Sequence, residues 1–215
     1  MSIPFYFAME ENEAAQLTGS RYAQLGFGFH ADGTVRFPKR ILPDAPAVIN
    51  DRFLPAAAPE AAVLDRLASA CGSGCFLDFE RPINEVGAAI ALGLKRRLKA
   101  KMTVPPALHA LLPDAYVQIP GRLCNCWEKY VRRVQEKYRD QWVLEIIPWS
   151  AGTTTGLKRK EEFYLETAQC SCRVENGKAI YHDTKASIQK KLALAERYGC
   201  QAGIVLLREY RQCID

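Results

Sequence analysis

Short apolar runs bounded by turn residues alternate along this chain with stretches whose apolar positions recur at helical spacing. Residues 5–9, 25–29 and 47–50 read as strands, with Ala31-Asp32-Gly33 as a turn that can fold 25–29 back on 34–37 as a hairpin. Residues 59–70 carry apolar side chains at 63, 64 and 67 behind an acidic first turn, the pattern of a helix. A strand at 75–79 follows. Pro82 suits the first turn of the next helix, which runs through Val86, Ala89, Ile90 and Leu94 into Lys95-Arg96-Arg97, cations fitting a helix C-terminus. Residues 101–104 predict a strand, 108–112 a short helix and 116–119 another strand. Trp127, Tyr130, Val131 and Val134 then mark one face of a longer helix, ahead of a strand at 143–147. Between residues 163 and 181 the period changes to two alternating runs joined by Glu175-Asn176-Gly177, a hairpin signal. A helix at 185–198 is closed by Gly199, and residues 203–207 form the last strand.

This order predicts an α/β fold, a small (β/α)8 TIM-like barrel with a β-hairpin insertion near residues 163–181, formed by 1–215 as a single domain. A typical barrel of this kind takes ~250 residues, so this one is trimmed. In such barrels the loops after the C-terminal strand ends carry function. An open doubly wound sheet is the alternative, without the Gly-rich nucleotide loop that often accompanies it.

Composition narrows the function classes. With 215 residues, 48% hydrophobic and 25% charged, the chain can bury one core and is not a disordered polymer. Met1 to Glu10 has no signal-peptide pattern, and no later run approaches a membrane span, so a cytoplasmic protein without a membrane partner is expected. The eight cysteines are then expected as free thiols. The formal charge of +5 is modest. Its clusters at Lys95-Arg96-Arg97 and Arg132-Arg133 read as solvated helix faces, and no nucleic-acid motif accompanies them, so nucleic acid is not an expected partner. Lys158-Arg159-Lys160, beside Gly152 to Gly156, would form an anion cradle if the barrel worked on a phosphorylated metabolite. Oligomeric state is not encoded in any of these patterns.

The sharpest candidate chemistry is Gly74-Cys75-Phe76-Leu77-Asp78-Phe79-Glu80-Arg81-Pro82, an apolar strand ending in two carboxylates one residue apart. Alternation puts Asp78 and Glu80 on one side, where mutual repulsion would raise one pKa and supply a proton donor. The bland alternative is a strand end salt-bridged to Arg81 or Arg52. The triplet resembles the fourth-strand signature of the family 18 glycoside hydrolases, the chitinase-like TIM barrels, which ends in Asp-x-Glu. That resemblance implies a glycosidase acting on an N-acetylhexosamine-containing glycan by substrate-assisted acid catalysis. Glu80 would be the acid/base, and Asp78 would orient the substrate's own 2-acetamido group as nucleophile. The family's further upstream aspartates would fall at Gly74 or Phe76. Gln118, in Tyr116-Val117-Gln118 of the sixth strand, is similar to a sugar-contacting position, and Glu209 and Tyr210 resemble a polar and aromatic pair delivered at the end of the eighth.

Further substrate-binding candidates follow from position alone. Asp51, in Asn50-Asp51-Arg52, ends the third strand and either lines the same mouth or makes a loop turn. Glu145 becomes a second interior carboxylate if Val143 and Ile147 face inward. Trp149, after Pro148, is either a platform for a sugar ring or core packing. The pairs Cys71-x3-Cys75, Cys124-Asn125-Cys126 and Cys170-Ser171-Cys172 lack the zinc-knuckle spacing, and His30, His109 and His182 lack triad-like company, so no metal and no cofactor are implied. The rival to an enzyme is a barrel that binds a carbohydrate or another small-molecule ligand without turnover.

Overall fold

The computed structural model describes residues 3–16, 20–30, 32–42, 44–121, 126–154, 162–175 and 178–212. Its strands, in chain order, are β1 (Phe5–Met9), β2 (Arg21–Phe29), β3 (Val35–Arg36), β4 (Ala47–Asn50), β5 (Gly74–Asp78), β6 (Lys101–Val104), β7 (Tyr116–Pro120), β8 (Trp142–Ile146), β9 (Trp149–Thr154), β10 (Glu162–Leu165), β11 (Cys170–Glu175), β12 (Lys178–His182) and β13 (Cys200–Leu206). The helices are α1 (Ala61–Ala70), α2 (Glu85–Arg97), α3 (Trp127–Tyr138), α4 (Lys185–Arg197) and α5 (Leu207–Gln212). The strand order β1-β13-β8-β7-β6-β5-β4-β2, closed by the β1–β2 pairing, is the eight-stranded ring of a small (β/α)8 TIM-like barrel. β3 adds an antiparallel flap to β2, so the Asp32-Gly33 turn signal and the strand signal before it are both realised.

The barrel is small because several helical layers are reduced. The connection after β1 is a single 3-10 segment at Glu11–Gln16, and that after β6 is another at Pro106–Leu108, where a helix over 108–112 was expected. α2 also begins later than Pro82 suggests. Its N-cap is Asn84, whose side chain accepts from the Gly87 N–H at 2.8 Å, so a capping side chain outweighs the proline's preference for a first turn. At α1 the N-cap is Glu60 without a side-chain bond, and the first turn carries no acid. The hairpin signal at 163–181 grows into a four-stranded antiparallel sheet of order β10-β11-β12-β9. Glu175 pairs with Lys178 across its turn, whose Asn176 and Gly177 lie outside the described residues.

Two compact units make up the chain: Phe5–Gln118, and Met1–Pro4 with Ile119–Asp215. In the first, alternate residues of the strands (Ala47, Ile49, Cys75, Leu77, Met102, Val104) pack with Leu64 and Leu67 of α1 and Ile90 and Leu94 of α2. In the second, the wholly buried Trp127 and Trp142 anchor the helices, their indole N–H groups donating to the Lys191 and Tyr198 carbonyls, each at 3.3 Å. Gly199, at φ +84°, closes α4 as its sequence position predicts.

Gly121 shows where backbone proximity constrains the sequence. Its N–H donates to the Glu145 carbonyl at 2.6 Å, and a Cβ at this position would stand 2.7 Å from that same oxygen. Because the obstacle is backbone, Gly121→Ala is expected to destabilise the protein by about 2 kcal/mol. In thermal unfolding this appears as a midpoint roughly 4–8 °C lower. An unchanged midpoint would mean that the strand end yields.

Candidate functional site

Which way each strand residue points follows from the packing. Cys75, Leu77 and Phe79 belong to the core shared with α1 and α2, so Phe76 and Asp78 face the opposite, interior side. Register extends this across neighbouring strands. Val48 pairs with Phe76, Phe76 with Thr103, and Thr103 with Tyr116, giving one interior row. Two residues further toward the C-terminal ends, Asn50 pairs with Asp78, and Gln118 occupies the equivalent level on β7 with Pro105 in between. Below this upper row, Tyr6 of β1 packs edge-on against Phe76, ring centroids 5.9 Å apart. The polar row therefore stands on an aromatic floor.

Asp78 is half-buried at the last residue of β5, and Glu80, two residues on, is exposed and makes no hydrogen bond or ion pair among the described residues. The salt-bridged alternative does not hold for Glu80. Arg81 instead donates its backbone N–H to Oδ2 of Asp51 at 2.8 Å, and the Arg52 guanidinium lies 5.3 Å from the centre of the Phe53 ring. Asp51 is 5% exposed, so its carboxylate is engaged in tying the loop after β4 to the backbone that follows Glu80. A charge-assisted bond of this kind holds Glu80's position from outside its own strand.

Gln118 is 9% exposed, and its Oε1 is buried with no hydrogen-bond partner among the described residues. An unsatisfied buried acceptor is unfavourable. Gln118→Leu is accordingly expected to stabilise the protein by about 1 kcal/mol, read as a higher denaturation midpoint with unchanged denaturant dependence. A loss of stability would show that the amide has a partner the geometry lacks. Thr103, 5% exposed and one level below Gln118, shares this interior face. The sequence reading passed over Thr103, although it is the polar residue of an otherwise apolar strand end.

The second unit holds the remaining candidates. On β8, Trp142 points toward the end of α4, so Val143 and Glu145 take the other face of the strand. Glu145 is half-buried, whereas Ile147 is 37% exposed beyond the strand end. Trp149 does not extend β8. It opens β9, where its backbone pairs with His182 in the inserted sheet. Glu209 and Tyr210 are half-buried on α5, a helix that begins where the last strand ends, and burial pushes the Glu209 carboxyl above its ordinary value against the opposing charge of Arg208. Gly152 belongs to β9, while Gly156 and Lys158, Arg159 and Lys160 lie outside the described residues, as does Cys124. Among the described residues no group of three or more His, Cys, Asp or Glu could hold a metal ion, and no helix is long and apolar enough to cross a membrane.

No protein-family model matches the chain, and no curated protein matches it. Solved structures do. The spore cortex-lytic enzyme SleL of Bacillus megaterium QM B1551 superposes with a TM-score of 0.60 at 14% identity, covering 94% of this chain and 70% of that one. A plant class V chitinase mutant from Cycas revoluta, solved with (GlcNAc)3, gives 0.62 at 10% identity over 98% of this chain and 97% of the other. Human YKL-39, described as a pseudo-chitinase with retained chitooligosaccharide binding properties, gives 0.67 at 7% identity over 98% and 96%. By strand order and by these neighbours, the chain has the fold of the family 18 chitinases and chitinase-like proteins.

Proposed function

We propose that the chain hydrolyses an N-acetylhexosamine-containing glycan at the C-terminal ends of its barrel strands, by acid catalysis assisted by the substrate's own acetamido group. The observation that carries this reading is Asp78 at the end of the fourth barrel strand, on the interior face, with the unencumbered carboxyl of Glu80 two residues beyond. In the first step Glu80 gives its proton to the glycosidic oxygen as the bond to the anomeric carbon breaks. The acetamido carbonyl oxygen closes on that carbon, and Asp78 accepts from the acetamido N–H and balances the developing positive charge. In the second step Glu80, now a carboxylate, takes a proton from the water that opens this ring. Gln118 is a further sugar contact in this reading, since its buried Oε1 can accept from a hydroxyl or amide N–H that displaces no existing bond. Asp51 supports the site by fixing the backbone after Glu80. Solved neighbours that carry chitooligosaccharides favour the same substrate class.

A second reading, oligosaccharide binding without turnover, is favoured by Phe76. This residue stands where an upstream aspartate would neighbour Asp78, and it is 5% exposed against Tyr6, so that position supplies no extra carboxyl to the triplet. A panel of aryl N-acetylglucosaminides and chitooligosaccharides, assayed for both hydrolysis and binding by the unmodified chain, separates the two. Hydrolysis supports the enzyme, binding alone moves the assignment to the non-catalytic barrel, and neither result leaves the likeness architectural.

A further inference from the structure

The loops that follow the third and fourth barrel strands carry two arginines beside the proposed site, and the mechanism above uses neither. Asn50, the last residue of β4, pairs with Asp78, the last residue of β5, so the two chains leave the barrel at one level. Two backbone bonds then fix where they go. The Arg52 N–H donates to Oδ1 of Asn50 at 3.2 Å, and the Arg81 N–H donates to Oδ2 of Asp51 at 2.8 Å. Arg52 is thus held against the end of its own strand, and Arg81, the residue after Glu80, is tied to the residue before Arg52.

Both arginine side chains are exposed, and neither forms an ion pair among the described residues. Asp51, the acid between them in space, is 5% exposed and turned to the backbone of Arg81. Elsewhere in the chain arginines find acids: Arg97 bonds Asp65 at 2.6 Å, and Arg132 lies 3.5 Å from Glu128. At the barrel mouth the Arg52 guanidinium instead rests 5.3 Å from the centre of the Phe53 ring. A guanidinium on an aromatic face keeps the N–H donors around its edge available to a ligand.

We propose that Arg52 and Arg81 bind an anionic substituent on the sugars of the substrate, so that the N-acetylhexosamine glycan taken here is an acidic polymer bearing carboxylate or sulfate groups. The inference rests on the glycan reading above and adds to it the charge of the substrate. The planar fork of a guanidinium matches two oxygens of either group with parallel charge-assisted hydrogen bonds. Charge recognition and proton donation then fall to different residues: Arg52 and Arg81 hold the substituent, and Glu80 acts on the glycosidic oxygen.

The test is binding, measured by calorimetry at low and at moderate salt, of three tetrasaccharides built on one N-acetylglucosamine backbone: unsubstituted, oxidised to the carboxylate at C6, and sulfated at O6. The expected result is that an anionic tetramer binds the unmodified chain about tenfold more tightly than the neutral one, the scale of one charge-assisted hydrogen bond. That preference shrinks as salt rises, and the tighter of the two anionic tetramers names the substituent. In Arg52→Gln and in Arg81→Gln the ratio of anionic to neutral affinity falls, and in the double variant it approaches one. Equal affinities in the unmodified chain, tighter binding of the neutral tetramer, or a ratio unchanged in the double variant overturns this inference and leaves the glycan reading standing. Binding of none of the three overturns both. An anionic preference without hydrolysis supports the inference and removes only the turnover.

Discussion

Glu80→Gln is expected to lower hydrolysis of a chitooligosaccharide by about 10²–10⁴-fold, the range for losing a positioned general acid. Glutamine keeps the shape of the side chain and removes the proton it would donate. Because Glu80 is exposed and makes no hydrogen bond or ion pair among the described residues, the substitution should leave the unfolding midpoint unchanged. Oligosaccharide binding should also persist, since the interior contacts proposed for Asp78 and Gln118 are untouched. The informative measurement is kcat and KM on one substrate, with binding measured separately by calorimetry. A variant as active as the unmodified chain would remove Glu80 as the proton donor and, with it, the mechanism proposed above.

Lys191→Ala is expected to destabilise the protein by about 3–5 kcal/mol, the penalty for leaving one member of a buried ion pair without its partner. The Lys191 ammonium lies 2.8 Å from both oxygens of Asp183, and both side chains are 1% exposed. Ser187 donates to the same carboxylate at 2.8 Å, and the Trp127 ring lies 5.2 Å from the ammonium. Asp183 stands just before the N-cap of α4 and Lys191 midway along that helix, whose Thr184 and Ser187 form a reciprocal capping box. One side chain thus serves the charge balance and the packing of α3 against α4.

A pH series gives this prediction its second handle. Burial raises the Asp183 carboxyl above its ordinary value, and the charge and hydrogen bond of Lys191 oppose that rise. The folded chain therefore holds the Asp183 proton more tightly than the unfolded chain does, so this group's contribution to stability declines as pH rises from the ordinary carboxylate value through the raised one. Removing Lys191 takes away the opposing attraction and extends that window upward. The deficit of Lys191→Ala should be greatest above the raised pKa and should shrink as the pH falls and Asp183 takes up its proton. Urea unfolding of both proteins across that range is the check. A deficit that does not change with pH would mean that Lys191 matters for its hydrocarbon stem alone.

The barrel was legible in the chain because its signals are local. Each of the eight parallel strands holds a short apolar run, Gly199 marks the boundary before the last of them, and the Glu175-Asn176-Gly177 signal marks the inserted antiparallel sheet, all through backbone preferences that need no distant partner. The errors lie where a local preference meets a competing one. Asn84 captures the N-cap that Pro82 seemed to prepare, and the segment after β6 tightens to a 3-10 turn at Pro106–Leu108. Trp149, expected after Pro148 as a sugar platform or core packing, instead opens β9, because Pro148 interrupts the run without revealing that the chain changes sheet.

What the sequence by itself determined is the strand order and the Asp78-Phe79-Glu80 triplet at the end of the fourth barrel strand, since alternation and turn chemistry act over a few residues. Tertiary structure alone decided how the surrounding polar groups are used. Asp51 is bound to the backbone of Arg81 and Gln118 stands level with Asp78, because register between strands, which no short stretch of sequence encodes, sets which side chains meet. The Lys191–Asp183 pair likewise appears only on folding, since it joins two side chains that burial with α4 brings together.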